Sequence, residues 1–242
     1  MKILIIRHAD PDYSIDSLTS KGWREAECLA EKLTKMRIDA FYTSTLGRAK
    51  DTASCTLKRL GREADGVYEW LKEFPSVIKR PDCKNSIAWD WLPQDWTVID
   101  KFYHKDEWGE VETFVNGHVK EEYDRVVTEF DKLIEKHGYV REGNIYKAER
   151  ANDDTIAIFC HFGSGCVLLS HLLGISPMVL WHGFCAAPSS VTTLTTEERR
   201  EGIASFRMSS YGDVSHLYAM GEESAFAARF CEMYTNKDER HD

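Results

Sequence analysis

The sequence has no excess of basic side chains: 31 Lys and Arg stand against 40 Asp and Glu, a net charge of −9. A general nucleic-acid binder needs a broad basic face to neutralise phosphates, so no nucleic-acid partner is expected. An anionic ligand would have to be drawn by a local basic pocket against the overall field. No apolar run approaches the roughly 18 residues that cross a membrane, and no membrane partner is expected. Seven cysteines are an odd number, and their spacing shows no secreted disulfide framework. The first apolar run begins at Ile3 and reads as a strand, so no signal peptide is expected. A soluble cytoplasmic protein with reduced thiols is the expectation. Internal repeats and low-complexity stretches are also lacking.

What is present begins with hydrophobic content, 43% of 242 residues, enough to fill a sizeable core. Ile3, Leu4, Ile5 and Ile6 form a continuous apolar run that reads as a buried parallel strand. It ends at Arg7 and His8. A second strand pattern, residues 155–160, ends at His161 and runs into Phe162-Gly163-Ser164-Gly165. In open α/β sheets ligands bind beyond the carboxyl ends of the strands. Two strand-end histidines, one preceded by Arg and one followed by a Gly-rich turn, point to a phosphate site.

Between them the pattern alternates. Thr19 or Ser20 caps a helix whose inner face is Trp23, Ala26, Leu29, Ala30 and Leu33. Residues 38–42 read as a strand, and Ala49, Ala53, Leu57 and Leu60 as a helix stopping at Gly61. Residues 66–71 read as a third strand. The order β-α-β-α-β implies a largely parallel sheet with right-handed crossovers. Residues 75–110 break the pattern: they hold Trp89, Trp91, Trp96 and Trp108 and show no period. An insertion of that length reads as a lid or binding loop. A long amphipathic helix follows from Val111 to near Gly138, then a charged connector at 141–154. A helix at 164–173, strands at 190–196 and 204–209 joined by a charged turn at 197–202, and a last helix at 222–233 complete the reading. The expected architecture is one α/β domain over 1–242, three layers with a mainly parallel central sheet, carrying a lid insertion at 75–150.

Five blocks then stand in order. Ile5-Ile6-Arg7-His8-Ala9 resembles the Arg-His-Gly motif of the histidine phosphatase superfamily, the phosphoglycerate-mutase-like fold. Leu18-Thr19-Ser20-Lys21-Gly22 resembles that family's step into its first helix. The block from Tyr42 to Ala53, with Arg48 at its centre, is similar to the family's Ser-x-Leu-x-Arg-Ala-x-x-Thr-Ala. Leu71-Lys72-Glu73 is similar to its Leu-x-Glu motif, and Cys160-His161-Phe162-Gly163 to its second-histidine motif.

The resemblance implies a phosphohistidine on His8, with Arg7, Arg48 and His161 around the phosphoryl group, Phe162 and Gly163 beside it, and Glu73 as general acid. Glu69, four residues earlier, is the alternative acid. The residue types suit the chemistry: imidazole is a nucleophile when neutral, the Arg fork pairs with phosphate oxygens, and nearby positive charge keeps His8 unprotonated. The implied activity is a metal-independent phosphomonoesterase acting on a small phosphorylated metabolite, with no metal and no organic cofactor. Alternatives are a phosphoglycerate-type mutase and a non-catalytic phospho-ligand binder; oligomeric state is unreadable. Cys160, His161, Cys166 and His171 lack the spacing of a usual zinc set. His216 resembles a family position near the site, with a structural role as the alternative. The chain departs from the family pattern after His8, where Ala9-Asp10-Pro11 stands and Asp10 takes the place of the usual acidic or amide residue. In 75–150 nothing matches the mutase pattern, which favours a phosphatase.

Overall fold

A computed structural model describes residues 1–225 and 229–241. Eight strands make one sheet: β1 (Lys2–Arg7), β2 (Ala40–Ser44), β3 (Gly66–Tyr68), β4 (Tyr139–Glu142), β5 (Ile145–Ala148), β6 (Thr155–Cys160), β7 (Val191–Arg200) and β8 (Ile203–Asp213). Their spatial order is β3-β2-β6-β1-β7-β8-β5-β4. The four strands from β3 to β1 are parallel; β7, β8, β5 and β4 add an antiparallel wing. The α/β expectation holds, with a sheet parallel in its core and mixed overall.

The apolar run of β1 explains the layers. Side chains alternate across a strand: Ile3 and Ile5 enter one hydrophobic cluster and Leu4 and Ile6 another. Both faces are therefore covered. Helices α1 (Ser20–Leu33) and α2 (Gly47–Leu60) supply Leu29, Leu33, Ala53 and Leu57 to the second cluster. On the opposite face lie α3 (Glu112–Asn116), α4 (Val119–Lys136), α5 (Phe162–Leu173) and α6 (Pro177–Gly183), with Val126, Phe130, Val167 and Leu180 in the first cluster. A short helix, α7 (Ser215–Met220), follows the sheet. The Thr19 hydroxyl caps α1 by accepting from the Gly22 amide, and α2 stops at Gly61, whose φ of 62° is left-handed.

Several expectations are corrected. Trp23 lies outside the α1 core face, 37% exposed. The second strand sits two residues later than the apolar pattern indicates, at Ala40–Ser44, and β3 gives way at Glu69 to a helical turn, Glu69–Leu71. The charged connector is a hairpin, β4–β5, whose Tyr146 is buried and pairs with Ala204; edge strands carry charge on their open side, which hides the period. The charged residues Glu197–Arg200 extend β7 instead of turning, in the stretch that runs past the end of β1 and pairs with β8 alone. The long helix from Val111 is broken at Gly117–His118, where His118 has φ 51°. A Cβ on Gly117 would lie 2.8 Å from Ile78 and 2.9 Å from the Val77 carbonyl, so the break is also where residues 77–78, paired with 86–87, pack against the chain and only glycine fits. The helix expected at 222–233 does not form among its described residues, and 226–228 lie outside the described residues; the helix here is α7, ended by Gly221 at φ 70°.

The segment between Glu73 and α3 is irregular but not loose. Trp91, Phe102, Trp108 and Phe114 are buried in one another's company, with Phe102 and Phe114 ring centroids 4.9 Å apart. Trp108 also meets Trp181 of α6 at 6.3 Å. These rings are core, and they seat the segment on α4 and α6. Aromatic burial of this kind replaces regular secondary structure as the source of order.

Among the described residues, no helix is long and apolar enough to cross a membrane.

Gly22 tests the entry into α1. Alanine normally favours a helix over glycine by about 0.5–1 kcal/mol. Here a Cβ would lie 2.1 Å from the Asp10 carbonyl oxygen, backbone that cannot swing aside. Overpacking wins, and Gly22→Ala is expected to lower the unfolding free energy by about 1–3 kcal/mol, read from the urea midpoint.

Candidate functional site

Three adjacent parallel strands end together and present their last residues on one rim. β1 delivers Arg7 and then His8, β2 delivers Ser44, and β6 delivers His161, which is also the N-cap of α5. The backbone at His8 is held from three sides: its amide donates to the Cys160 carbonyl at 3.0 Å, its carbonyl accepts from the Ser189 amide at 3.0 Å, and the Ala9 amide donates to Thr52 Oγ1 at 2.9 Å. The His8 ring is buried, and its Nδ1 sits 2.7 Å from the Ala9 carbonyl oxygen. A carbonyl can only accept, so Nδ1 carries the proton and Nε2 keeps its lone pair.

The His161 ring lies 5.1 Å from that of His8, tilted by 55°. Its Nε2 is 2.9 Å from Ser44 Oγ, and its Nδ1 is buried without a partner. Ser44 Oγ also accepts from the Leu46 amide, so one hydroxyl links the second histidine to the turn entering α2. Both imidazoles are held neutral. Burial pushes His8 down to about 3, helped by Arg7 and Arg48, and burial, with His8 and the same arginines, drives His161 well below the ordinary value.

The two arginines enter from different elements. Arg7 donates from Nη1 to the Ala186 carbonyl at 2.6 Å and lies over the Phe162 ring at 5.7 Å. Arg48, in the first turn of α2, donates from Nη1 to Asp16 Oδ1 at 2.6 Å. Asp16 accepts the Gly47 amide on its other oxygen at 2.7 Å and adopts φ 48°. Burial alone would raise the Asp16 pKa, but the hydrogen bonds from Gly47 and Arg48 outweigh it and hold the carboxyl below its ordinary value. Asp16 and Ser44 were not singled out in the sequence. A polar loop gives no periodic signal, and the αL conformation of Asp16 was unreadable.

The two candidate acids have opposite environments. Glu73 Oε1 accepts the amides of Phe74 at 2.8 Å and Ser164 at 3.0 Å. Burial raises its pKa above the ordinary carboxyl value despite those donors and the two arginines. Glu69 is 66% exposed and paired with Lys72, and the Lys72 and Thr45 hydrogen bonds lower its pKa. Gly163 makes the Glu73 geometry possible: a Cβ there would lie 2.7 Å from Glu73 Oε1 and 2.7 Å from Trp89 Nε1. Trp89 donates to the Phe74 carbonyl at 3.0 Å, which ties the irregular segment to the acid. Of the four tryptophans in that segment, Trp89 is the one placed against Glu73 and Phe162.

The remaining candidates have structural partners. Asp10 accepts the Thr19 hydroxyl at 2.6 Å and donates its amide to Glu25, so its carboxylate serves the α1 cap. His216 Nε2 is 2.9 Å from Ser189 Oγ, the residue whose amide holds the His8 carbonyl. His171 pairs with Asp131 at 2.9 Å. Among the described residues, no three His, Cys, Asp or Glu side chains stand close enough together to hold a metal ion.

Buried neutral histidines carry a pH signature. His8 is lowered to about 3, His182 to about 4 and His216 to about 4, burial being the largest cause in each. An unfolded histidine titrates near 6.5. Below that pH the unfolded chain binds protons that the folded chain refuses, so stability is complete above about 6.5 and is lost as pH falls. Each group should cost on the order of 1–2 kcal/mol between pH 7 and pH 5. The urea midpoint is expected to fall clearly over that interval; a midpoint that does not move contradicts the assignment.

Residues 3–75 match the family model of the histidine phosphatase superfamily (branch 1). No curated protein matches the chain. Solved structures share its fold. A mutant phosphoserine phosphatase from Entamoeba histolytica in complex with phosphoserine is 18% identical, with a TM-score of 0.55 over 89% of this chain and 98% of that one. A mycobacterial glucosyl-3-phosphoglycerate phosphatase bound to VO3 is 19% identical, with a TM-score of 0.55 over 87% and 98%. The α-ribazole phosphatase from Shigella flexneri is 17% identical, with a TM-score of 0.53 over 88% and 97%. Over residues 3–75 the chain is thus similar to the histidine phosphatase superfamily (branch 1), a stretch that takes in the strand ending in Arg7 and His8, the turn bearing Arg48, and Glu73, and over most of its length it shares the fold of these phosphatase structures.

Proposed function

We propose that the protein is a metal-independent phosphomonoesterase that works through a phosphohistidine on His8, with a small phosphorylated metabolite as substrate. The observation that carries this reading is the pairing of a neutral, oriented imidazole with a half-buried carboxyl of raised pKa at the same rim. A binding protein has use for the arginines but none for a proton donor.

In the first step His8 Nε2 attacks phosphorus, forming the P–N bond as the P–O bond to the leaving group breaks. Glu73 protonates the leaving oxygen. Its Oε1 is occupied by two amides, so Oε2 holds the proton. Arg7 and Arg48 pair with the equatorial oxygens, and His161 Nδ1 and the N-terminal end of α5 at Phe162 and Gly163 add donors. Asp16 holds Arg48 by one nitrogen and leaves the rest of the fork for phosphate. In the second step Glu73 takes a proton from water, water oxygen attacks phosphorus, and the P–N bond breaks, which restores both groups.

Turnover of p-nitrophenyl phosphate in EDTA tests the reading. Wild type should be active and His8→Ala inactive; activity retained in that variant overturns the phosphohistidine, and an inactive wild type shifts weight to a mutase or a binder. Loss of the general acid typically costs about 10²–10⁴-fold. Glu73→Gln should show that loss on an alkyl phosphate and much less on the nitrophenyl ester, whose leaving group needs little protonation. Glu69→Gln should leave both rates near wild type. The acid must be protonated for the first step, so wild-type kcat on the alkyl ester should fall as pH rises through the Glu73 pKa.

A further inference from the structure

Behind Arg7, on the side of the sheet covered by α5, lies a cavity of about 20 Å³. Most of its wall is apolar, including Ile5, Cys166 and Leu169. Five polar side chains also line it: Arg7, His161, Ser190, Thr192 and Tyr211. Thr192 Oγ1 accepts the Gly212 amide, but the other four each leave one buried side-chain atom without a hydrogen-bond partner: Arg7 Nε, Ser190 Oγ, Tyr211 Oη and His161 Nδ1, the last being the donor assigned above to the phosphoryl group. Buried polar atoms are nearly always paired, and leaving one unpaired is costly. Four such atoms on the lining of one small cavity are therefore unlike a chance defect. The size is right for a single water, which needs about 10–15 Å³ and 2–4 polar partners.

We propose that one water molecule occupies this cavity, accepting from Arg7 Nε and the Tyr211 hydroxyl and donating to Ser190 Oγ. Tyr211 and Ser190 are thereby positioning residues for Arg7. The proposal rests on the reading of Arg7 as a phosphate ligand. Arg7 Nη1 is tied to the Ala186 carbonyl and its face rests on Phe162. With Nε anchored through the water, the guanidinium plane is held at three points, and Nη2 is left for the phosphoryl oxygens. Tyr211 comes from β8 and Ser190 immediately precedes β7, so the antiparallel wing of the sheet orients a residue of the parallel part.

The test uses the full chain. A wild-type crystal structure that shows ordered solvent should place one water within hydrogen-bond distance of all three atoms; no density there overturns the proposal. In solution the probe is inorganic phosphate, as a competitive inhibitor of p-nitrophenyl phosphate turnover. Tyr211→Phe and Ser190→Ala should each raise its inhibition constant about fivefold, the effect of one net hydrogen bond. The double variant should be no worse than either single one, because both act through the same water. Additive effects, or constants unchanged from wild type, overturn the positioning role. A merely structural role would move the unfolding midpoint without this non-additive effect on phosphate. His8→Ala separates the two readings: if it turns over at the wild-type rate, the phosphohistidine fails, while the crystallographic water is still decided on its own.

Discussion

The site depends on one constraint: a histidine must stay uncharged and fixed while buried beside two guanidinium groups. The bond from His8 Nδ1 to the Ala9 carbonyl meets both halves of it. It sets the tautomer, so the free lone pair is on Nε2, and it locks the ring to its own backbone. That backbone is in turn fixed by Cys160, Ser189 and Thr52, from β6, the approach to β7, and α2. The positive charge nearby does not disrupt the arrangement because it acts in the same direction as burial: both disfavour the imidazolium.

The same low-polarity surroundings act in the opposite sense on the carboxyl. Burial lowers a histidine and raises a glutamate, so one dry rim disfavours the charged form of both His8 and Glu73. The irregular tryptophan-rich segment contributes to this dryness. Trp91 and Trp108 build its own core, and Trp89 reaches across to the Phe74 carbonyl beside the acid. The segment is thus a wall seated on α4 and α6, and Gly163 is the concession that lets the wall and the acid approach the start of α5.

Charge at the rim is distributed so that the arginines are oriented before any ligand arrives. Asp16 ties Arg48 to the loop after β1, and the Ala186 carbonyl ties Arg7 to the loop before β7. Each tie uses one nitrogen of a fork with five donor hydrogens. Pre-set cations of this kind lose less entropy on binding an anion, and they give a chain of net charge −9 a local positive pocket against its own overall field.

How much of this was legible in the sequence follows from what a sequence encodes. β1 and β6 were readable because four or five consecutive apolar residues need a two-sided core, and Arg7, His8 and His161 were readable because they end those runs. The hairpin β4–β5 and the charged half of β7 were not, because one face of each is solvated and the charges mask the alternation. The choice between Glu73 and Glu69 could not be made from spacing, since both follow the same strand; the difference is burial, supplied by Trp89, Gly163 and Ser164, which lie 16 to 91 positions from Glu73 in the chain. Asp16 on Arg48, Ser44 on His161 and His216 on Ser189 are likewise pairings across distant segments. The sequence by itself determined the layered sheet and the strand ends where histidine and arginine meet, because hydrophobic periodicity is a local property. Only the tertiary structure decided which groups are charged, because ionisation is set by everything packed around a group and not by its neighbours along the chain.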